Sequence, residues 1–264
     1  MLALLQGERI EELKRGSLYI IQNAGLPRFS MDAVLLSMFT EVSPCQRVAD
    51  LGTGTGIIPL LLVDRDESVS VTAVEIIPEL AGMARRSMAL NNFSGRVEVL
   101  TGDLRDPLIL PRQLFDVVVS NPPYYEKDSC RLSGDPVRAA ARSELYCTLA
   151  EVVSTAAALL NGGSFYLAQR YERLSEAVAL GALHGLYPRK LRRVRSFAGD
   201  EPYLFLLCLS SVPDETVRVE EDDLCIFSAA GVYSPELQAI YDTANRTLLK
   251  QSFGSTGVIR TIPD

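Results

Sequence analysis

The chain has 264 residues, 47% of them apolar, with five cysteines, one histidine and a net charge of −7. This content predicts one sizeable core and excludes a membrane span, because no apolar run approaches the ~18 residues required; the charged N-terminus lacks a signal-peptide stretch, so we expect a cytoplasmic protein. The cysteines form no C-x-x-C pair, and we therefore expect neither a metal site nor Cys/His catalysis.

Two elements are predicted before the central strands. They are a short strand over Leu18–Gln22 and a helix that ends near Phe39 and has Ser30 as its N-cap. The segment between them is expected to fold over a pocket as a lid, with Arg28 or Phe29 near the substrate; the alternative is a helix that only packs on the sheet. We assign 1–40 to this cap, 41–212 to the central domain and 213–264 to an extension packed on the same domain.

Strands and helices then alternate along the chain. Strands are predicted near 47–51, 71–75, 96–100, 115–120, 163–169, 187–195 and 202–210. Helices are predicted near 55–64, 78–91, 144–160 and 171–183. This order predicts an α/β fold of the doubly wound type, with a seven-stranded, mostly parallel sheet and an antiparallel edge strand from the 187–210 end. The carboxyl ends of parallel strands meet at one edge, where such sheets bind ligands.

Acidic residues and glycines stand where the first strands end. Asp50 ends the first central strand and opens into a loop with Gly52, Gly54 and Gly56, whose alternate spacing lets a ligand approach the main chain. Glu75 ends the next strand, where an acidic side chain can hold both hydroxyls of a ribose. A dinucleotide fingerprint fits poorly, because its last glycine would fall where this chain has Ile57.

The apolar strand Val117–Ser120 runs directly into Asn121-Pro122-Pro123-Tyr124. Proline has no N–H, so this turn is stiff and rich in acceptors. The Asn121 amide oxygen and the Pro122 carbonyl can accept both protons of a planar amine while the Tyr124 ring stacks on the attached base. Such a pocket suits methylation of nitrogen, although Asn-Pro-Pro is also a common turn after a core strand.

Four segments together resemble the tRNA1(Val) adenine N6-methyltransferases: Arg28–Leu36, the glycine loop, Ala84–Asn91 and Ser120–Tyr125. The resemblance implies the class I, Rossmann-like methyltransferase fold, S-adenosylmethionine as cofactor, and methyl transfer to the adenine amine beside the anticodon of a valine tRNA. It implies Asn121, Pro122, Pro123 and Tyr124 as catalytic residues. The predicted cofactor-binding residues are Arg28, Asp50, Gly52, Thr53, Gly54, Gly56, Glu75, Ile76, Asp103, Leu104 and Asn121, with Asp103 on the adenine amine.

Two clusters of cations oppose the net negative charge. Lys127, Arg131, Arg138 and Arg142 follow the Asn-Pro-Pro-Tyr turn, and Lys190, Arg192, Arg193 and Arg195 lie on a predicted strand. We predict that both clusters contact tRNA phosphates, with the acidic stretch Asp214–Asp223 facing away and the 126–142 loop poorly ordered before substrate arrives. The alternative is a solvated strand face and a loop with ion pairs.

The Asn-Pro-Pro-Tyr motif indicates that an amine nitrogen is methylated, but it does not specify which substrate carries that nitrogen. Asn-Pro-Pro-Tyr also occurs in enzymes that act on adenine in DNA or ribosomal RNA, on guanine amines, or on a glutamine of protein release factors. A methyltransferase with a protein glutamine or another nucleic acid as substrate is therefore the first alternative. A nucleotide-binding oxidoreductase or an inactive scaffold is the second.

Overall fold

The computed structural model describes residues 4–14, 18–110, 112, 114–122, 147–212, 218–219 and 222–244. The 126–142 loop lies outside these ranges. So do six residues predicted to belong to the functional site: Pro123, Tyr124, Lys127, Arg131, Arg138 and Arg142.

Within this part of the chain the strands are β1 (Glu8–Lys14), β2 (Leu18–Asn23), β3 (Arg47–Leu51), β4 (Ser70–Glu75), β5 (Val97–Thr101), β6 (Phe115–Ser120), β7 (Leu160–Arg170), β8 (Tyr187–Arg195), β9 (Leu204–Ser210), β10 (Arg218–Val219), β11 (Leu224–Cys225), β12 (Phe227–Ala229) and β13 (Val232–Tyr233). The helices are α1 (Met31–Phe39), α2 (Ile57–Arg65), α3 (Pro78–Leu90), α4 (Leu149–Leu159), α5 (Leu174–Leu183) and α6 (Pro235–Ala244).

The central sheet has the long strands in the order β8-β9-β7-β6-β3-β4-β5, and the short strands β10 and β11 pair with β8. The strands from β7 to β5 in this order are parallel, which confirms the predicted doubly wound sheet. β9 is antiparallel to both β7 and β8. The antiparallel strand is therefore β9, which lies between β7 and β8, and not the predicted edge strand. The order of strands along the chain does not reveal this position.

Helices cover both faces of the sheet, as predicted. Successive residues of β6 point to opposite faces, with Val117 and Val119 in the core under α1 and α2 and Val118 in the core under α4. A strand buried on both faces is apolar throughout, which explains the continuous valine run. No helix in the described ranges is long and apolar enough to cross a membrane.

An antiparallel hairpin of β1 and β2 precedes the sheet and packs on α3. The backbone N–H of Ile21 donates to Ser87 Oγ at 2.9 Å, and that of Tyr19 donates to Asn91 Oδ1 at 2.9 Å. At the far end, Arg86 Nη2 donates to Glu8 Oε1 at 2.6 Å. These contacts fix the chain that leaves β2 above the carboxyl edge of the sheet.

Candidate active site

A cavity of about 460 Å³ opens at the carboxyl ends of β3, β4, β5 and β6. Glu75, the last residue of β4, and Asn121, which follows β6, both line this cavity. The segment between β2 and α1 forms another part of the wall through Arg28, Phe29 and Ser30. The predicted residues that line it are Arg28, Gly52, Thr53, Gly54, Glu75, Ile76, Asp103, Leu104, Asn121 and Pro122.

The glycine loop leaves β3 in a conformation that other residues rarely adopt. Gly52, Gly54 and Gly56 have φ angles of 78°, 59° and 89°. A Cβ at Gly52 or Gly54 would meet no atom within 4 Å, so the main chain there is open to a ligand. Gly56 does not line the cavity; a Cβ there would lie 3.1 Å from the Ala84 side chain, so this glycine permits close packing of α2 on α3.

Glu75 is a buried carboxylate whose two oxygens are held by backbone groups. Gly54 N–H donates to Oε2 at 2.8 Å and Ile77 N–H donates to Oε1 at 2.9 Å. Burial raises the pKa of this carboxyl, while the two N–H groups favour its charged form. Each oxygen keeps a second lone pair, so the side chain can accept the two hydroxyls of a ribose.

Asp50 lies behind the cavity wall and is fully buried, with no hydrogen-bond partner for either oxygen among the described residues. The hydroxyls of Thr53 and Thr55, which line the cavity, are also buried without partners there. Burial raises the pKa of Asp50 to about 7. The Thr53 hydroxyl favours the charged form of Asp50 and opposes this shift. Unpaired buried polar groups are rare and costly, so Thr53 and Thr55, the members of this cluster that line the cavity, fit a bound ligand that carries a polar group.

Asp103 lines the cavity beside β5 and is paired with Arg105, whose Nε lies 2.9 Å from Oδ1. The Arg105 guanidinium lowers the pKa of Asp103 and also donates to Glu151 Oε1 at 3.1 Å. Thr148 and Glu151 form a capping box that starts α4. Arg105 and Glu151 were not predicted to lie beside the site. The Thr148-x-x-Glu151 spacing is typical of a helix start and could have indicated the position of Glu151.

Cys147 was also not foreseen as part of the site. It lines the cavity next to the start of α4, and burial raises the pKa of its thiol to about 12. The thiol is therefore neutral at physiological pH and contributes an apolar surface rather than a nucleophile.

Asn121 and Pro122 follow β6 directly. Ser120 Oγ donates to the Leu51 carbonyl at 2.8 Å, which ties the end of β6 to the end of β3. The Asn121 amide nitrogen is directed at Ser30 Oγ, 3.5 Å away. Ser30 occupies the predicted N-cap position of α1, but its side chain makes no capping hydrogen bond.

The cations of β8 lie apart from the cavity wall and have acidic partners. Lys190 lies 3.2 Å from Glu41, Arg192 pairs with Glu236, and Arg193 and Arg195 both pair with Asp223. The prediction that the acidic stretch faces away is wrong for Asp223, because this carboxylate bridges two of the arginines. These four cations therefore lie on an ion-paired strand face.

A mostly parallel, doubly wound sheet with a glycine loop after its first central strand and a cavity at the carboxyl ends of its strands is the fold of the class I S-adenosylmethionine-dependent methyltransferases. A solved structure with this fold, described as a predicted O-methyltransferase from Agrobacterium tumefaciens, matches with a TM-score of 0.64 and 24% identity, over 81% of this chain and 97% of that one. The sequence profile of the methyltransferase small domain family matches residues 29–167.

Two curated relatives are similar over most of their length. The tRNA1(Val) (adenine(37)-N6)-methyltransferase of Tolumonas auensis is 31% identical over 85% of this chain and 92% of its own. The protein of the same name from Porphyromonas gingivalis strain ATCC 33277 is 32% identical over 84% and 91%. The chain thus belongs to the methyltransferase small domain family and, within it, to the tRNA1(Val) (adenine(37)-N6)-methyltransferases, which confirms the resemblance.

Proposed function

We propose that this enzyme methylates the exocyclic amine of an adenine in tRNA, as the names of its relatives state for adenine 37 of tRNA1(Val). The observation that carries the proposal is the shared cavity, in which the ends of β4 and β6 bring Glu75 and Asn121 to one space. Glu75 suits the ribose of the methyl donor, and Asn121 suits the amine that accepts the methyl group.

The donor half is assigned to the ends of β3, β4 and β5. Glu75 accepts the ribose hydroxyls, Asp103 accepts from the adenine amine, and Gly52 and Gly54 let the main chain approach the ligand. S-adenosylmethionine, when bound, supplies a methyl group on a positively charged sulfur.

The acceptor half is assigned to Asn121 and Pro122. The amine of adenine is a weak nucleophile because its lone pair is delocalised into the ring. Oδ1 of Asn121 and the carbonyl of Pro122 accept one hydrogen bond each from its two N–H groups, which favours a pyramidal nitrogen and directs the lone pair at the methyl group. The surplus proton of the methylated amine then leaves to water. Such positioning can contribute several of the ~7–11 kcal/mol available from orientation, and attack needs no general base.

The target base has to leave its stack before it reaches Asn121. This costs a few kcal/mol, and less where the base is already in a loop. We assign to Tyr124, outside the described residues, the role of stacking on the extruded base, worth ~1–3 kcal/mol. Lys127, Arg131, Arg138 and Arg142 are proposed to contact the phosphates beside it.

One observation favours a second candidate, the glutamine side chain of a protein. The cations of β8 are balanced by Glu41, Glu236 and Asp223, which weakens their attraction for a polyanion. A glutamine amide is also a flat NH2 group that fits the same two acceptors. Recognition of an uncharged glutamine side chain requires little basic surface.

Methyl-labelled S-adenosylmethionine distinguishes the candidates. The protein is incubated separately with unmodified tRNA, ribosomal RNA, DNA and release factor, and each pool is digested to nucleosides or amino acids. The proposal expects label only in tRNA, as N6-methyladenosine, and expects its loss from a valine tRNA transcript with guanine at the target position. Label in glutamine would replace the proposal with the second candidate, and label in ribosomal RNA or DNA would contradict it.

A further inference from the structure

Glu11, in β1, is a charged side chain inside the N-terminal hairpin. It is 0% exposed, although glutamate is rarely buried without a partner. Its neighbour in the hairpin, Gln22, is 1% exposed. Burying two polar side chains costs folding free energy. The residues that this pair contacts indicate its role.

The two side chains hold the segment that forms part of the cavity wall. Gln22 Nε2 donates to Glu11 Oε2 at 2.5 Å, and Gln22 Oε1 accepts from the backbone N–H of Phe29 at 3.3 Å. On its other oxygen, Glu11 lies 2.5 Å from Arg9 Nη2 and 3.9 Å from Arg28 Nη1. Glu11 thereby connects the hairpin to Arg28 directly and to Phe29 through Gln22.

The charges of this cluster leave one cation on the cavity side. Arg9 is the closer partner of Glu11, at 2.5 Å against 3.9 Å for Arg28, so the positive charge of Arg28 is only partly compensated while the carboxylate restrains its position. Arg28 lines the cavity, and 46% of its side chain is exposed. A half-exposed guanidinium with a buried anchor is suited to bind an anionic group by charge-assisted hydrogen bonds.

We infer that Glu11 and Gln22 are positioning residues for the cofactor, and that Arg28 binds the carboxylate at its amino-acid end. Without the Glu11 charge, Arg9 and Arg28 would repel each other, and Arg28 would turn away from the cavity. The inference rests on S-adenosylmethionine as the cofactor and deepens the proposed function. It is tested by binding alone, so its failure is distinct from failure to methylate tRNA.

The test measures dissociation constants of three ligands by calorimetry. S-adenosylmethionine has the carboxylate, decarboxylated S-adenosylmethionine lacks only that group, and 5′-methylthioadenosine lacks the whole amino-acid end. Glu11→Gln should weaken binding of the first ligand by roughly tenfold, the size of a lost hydrogen bond to a charged group, and leave the third within about twofold. Arg28→Gln should abolish the preference for the carboxylate, and Gln22→Met should reduce it.

Glu8→Gln is the matched control, because it weakens the attachment of the hairpin to Arg86 without touching Arg28. It should retain the preference for the carboxylate. Equal losses for all three ligands in Glu11→Gln would reduce Glu11 to a structural role and overturn the inference. Tighter binding of S-adenosylmethionine in that variant would also overturn it, because Glu11 would then compete with the ligand for Arg28.

Discussion

Asp50 is the carboxyl group of the site with the most unfavourable surroundings. Both of its oxygens are buried, and burial raises its pKa to about 7, with the Glu75 carboxylate acting in the same direction. Near neutral pH part of this group is therefore protonated in the folded protein.

The pH dependence of stability should reveal this group. Unfolded Asp50 loses its proton near 3.8 and folded Asp50 near 7, so its contribution to stability is present below about pH 4 and is lost as the pH rises through about 7. The loss is on the order of 4 kcal/mol. Urea unfolding of ligand-free protein between pH 4 and 8 measures it. Asp50→Asn should remove this part of the slope, and an identical slope in the variant would refute the assignment.

The order of acidic and amide residues along the chain was sufficient to bring three of them to one cavity. Glu75 ends β4, and Asp103 and Asn121 follow β5 and β6, whose carboxyl ends meet at one edge of the sheet. Asp50 lies within β3, behind the cavity wall. The partners of these residues were not foreseen. Arg105 and Glu151 are separated by 46 positions, and their contact depends on how α4 packs rather than on any local pattern.

At the scale of elements, two glycines next to or within helices should respond oppositely to alanine. Gly56 has φ of 89° and would place a Cβ 3.0 Å from Met88 and 3.1 Å from Ala84, so Gly56→Ala should destabilise the protein by about 1–3 kcal/mol. Gly82 lies within α3 and would meet only the end of Arg86 at 4.0 Å, so Gly82→Ala should stabilise by about 0.5–1 kcal/mol. Urea unfolding compares them, and equal stability of Gly56→Ala and wild type would contradict the packing argument.

The long central strands were predicted within a few residues because they are continuous apolar runs between helical patterns. β1 was not predicted, since Glu8–Lys14 has charged residues at most positions and its pairing with β2 supplies the order. The insertion of β9 between β7 and β8 was also unforeseen. Neighbours in a sheet need not be neighbours in sequence, so only the fold reveals such pairing.

At the scale of the whole molecule, the net charge of −7 makes the distribution of cations decisive for a tRNA substrate. Asp223 holds Arg193 and Arg195, so Asp223→Asn should release two guanidinium groups. If β8 contacts phosphates, this variant should bind tRNA more tightly and steepen its salt dependence by roughly one to two units of log Kd against log salt. Replacing Arg192, Arg193 and Arg195 with glutamine should do the reverse.

Filter binding of unmodified tRNA over a range of salt concentrations measures both effects. Glu98→Gln is the matched control, since it also removes one negative charge but lies on β5, at the other end of the sheet. Unchanged slopes in both β8 variants would remove this strand from the tRNA interface and leave the cations after the Asn-Pro-Pro-Tyr turn as the proposed contacts.

We propose that one cavity holds a donor half and an acceptor half that are chemically separate. The most direct test of this proposal measures S-adenosylmethionine affinity and the single-turnover rate of tRNA methylation in Asn121→Ala, with Asn161→Ala, exposed on β7, as control. We expect the methylation rate of Asn121→Ala to be lower by about 10²–10³-fold while its cofactor affinity is nearly unchanged. In Glu75→Ala we expect weaker cofactor affinity as the primary effect. Loss of cofactor affinity in Asn121→Ala, with methyl transfer intact at saturating cofactor, would contradict it.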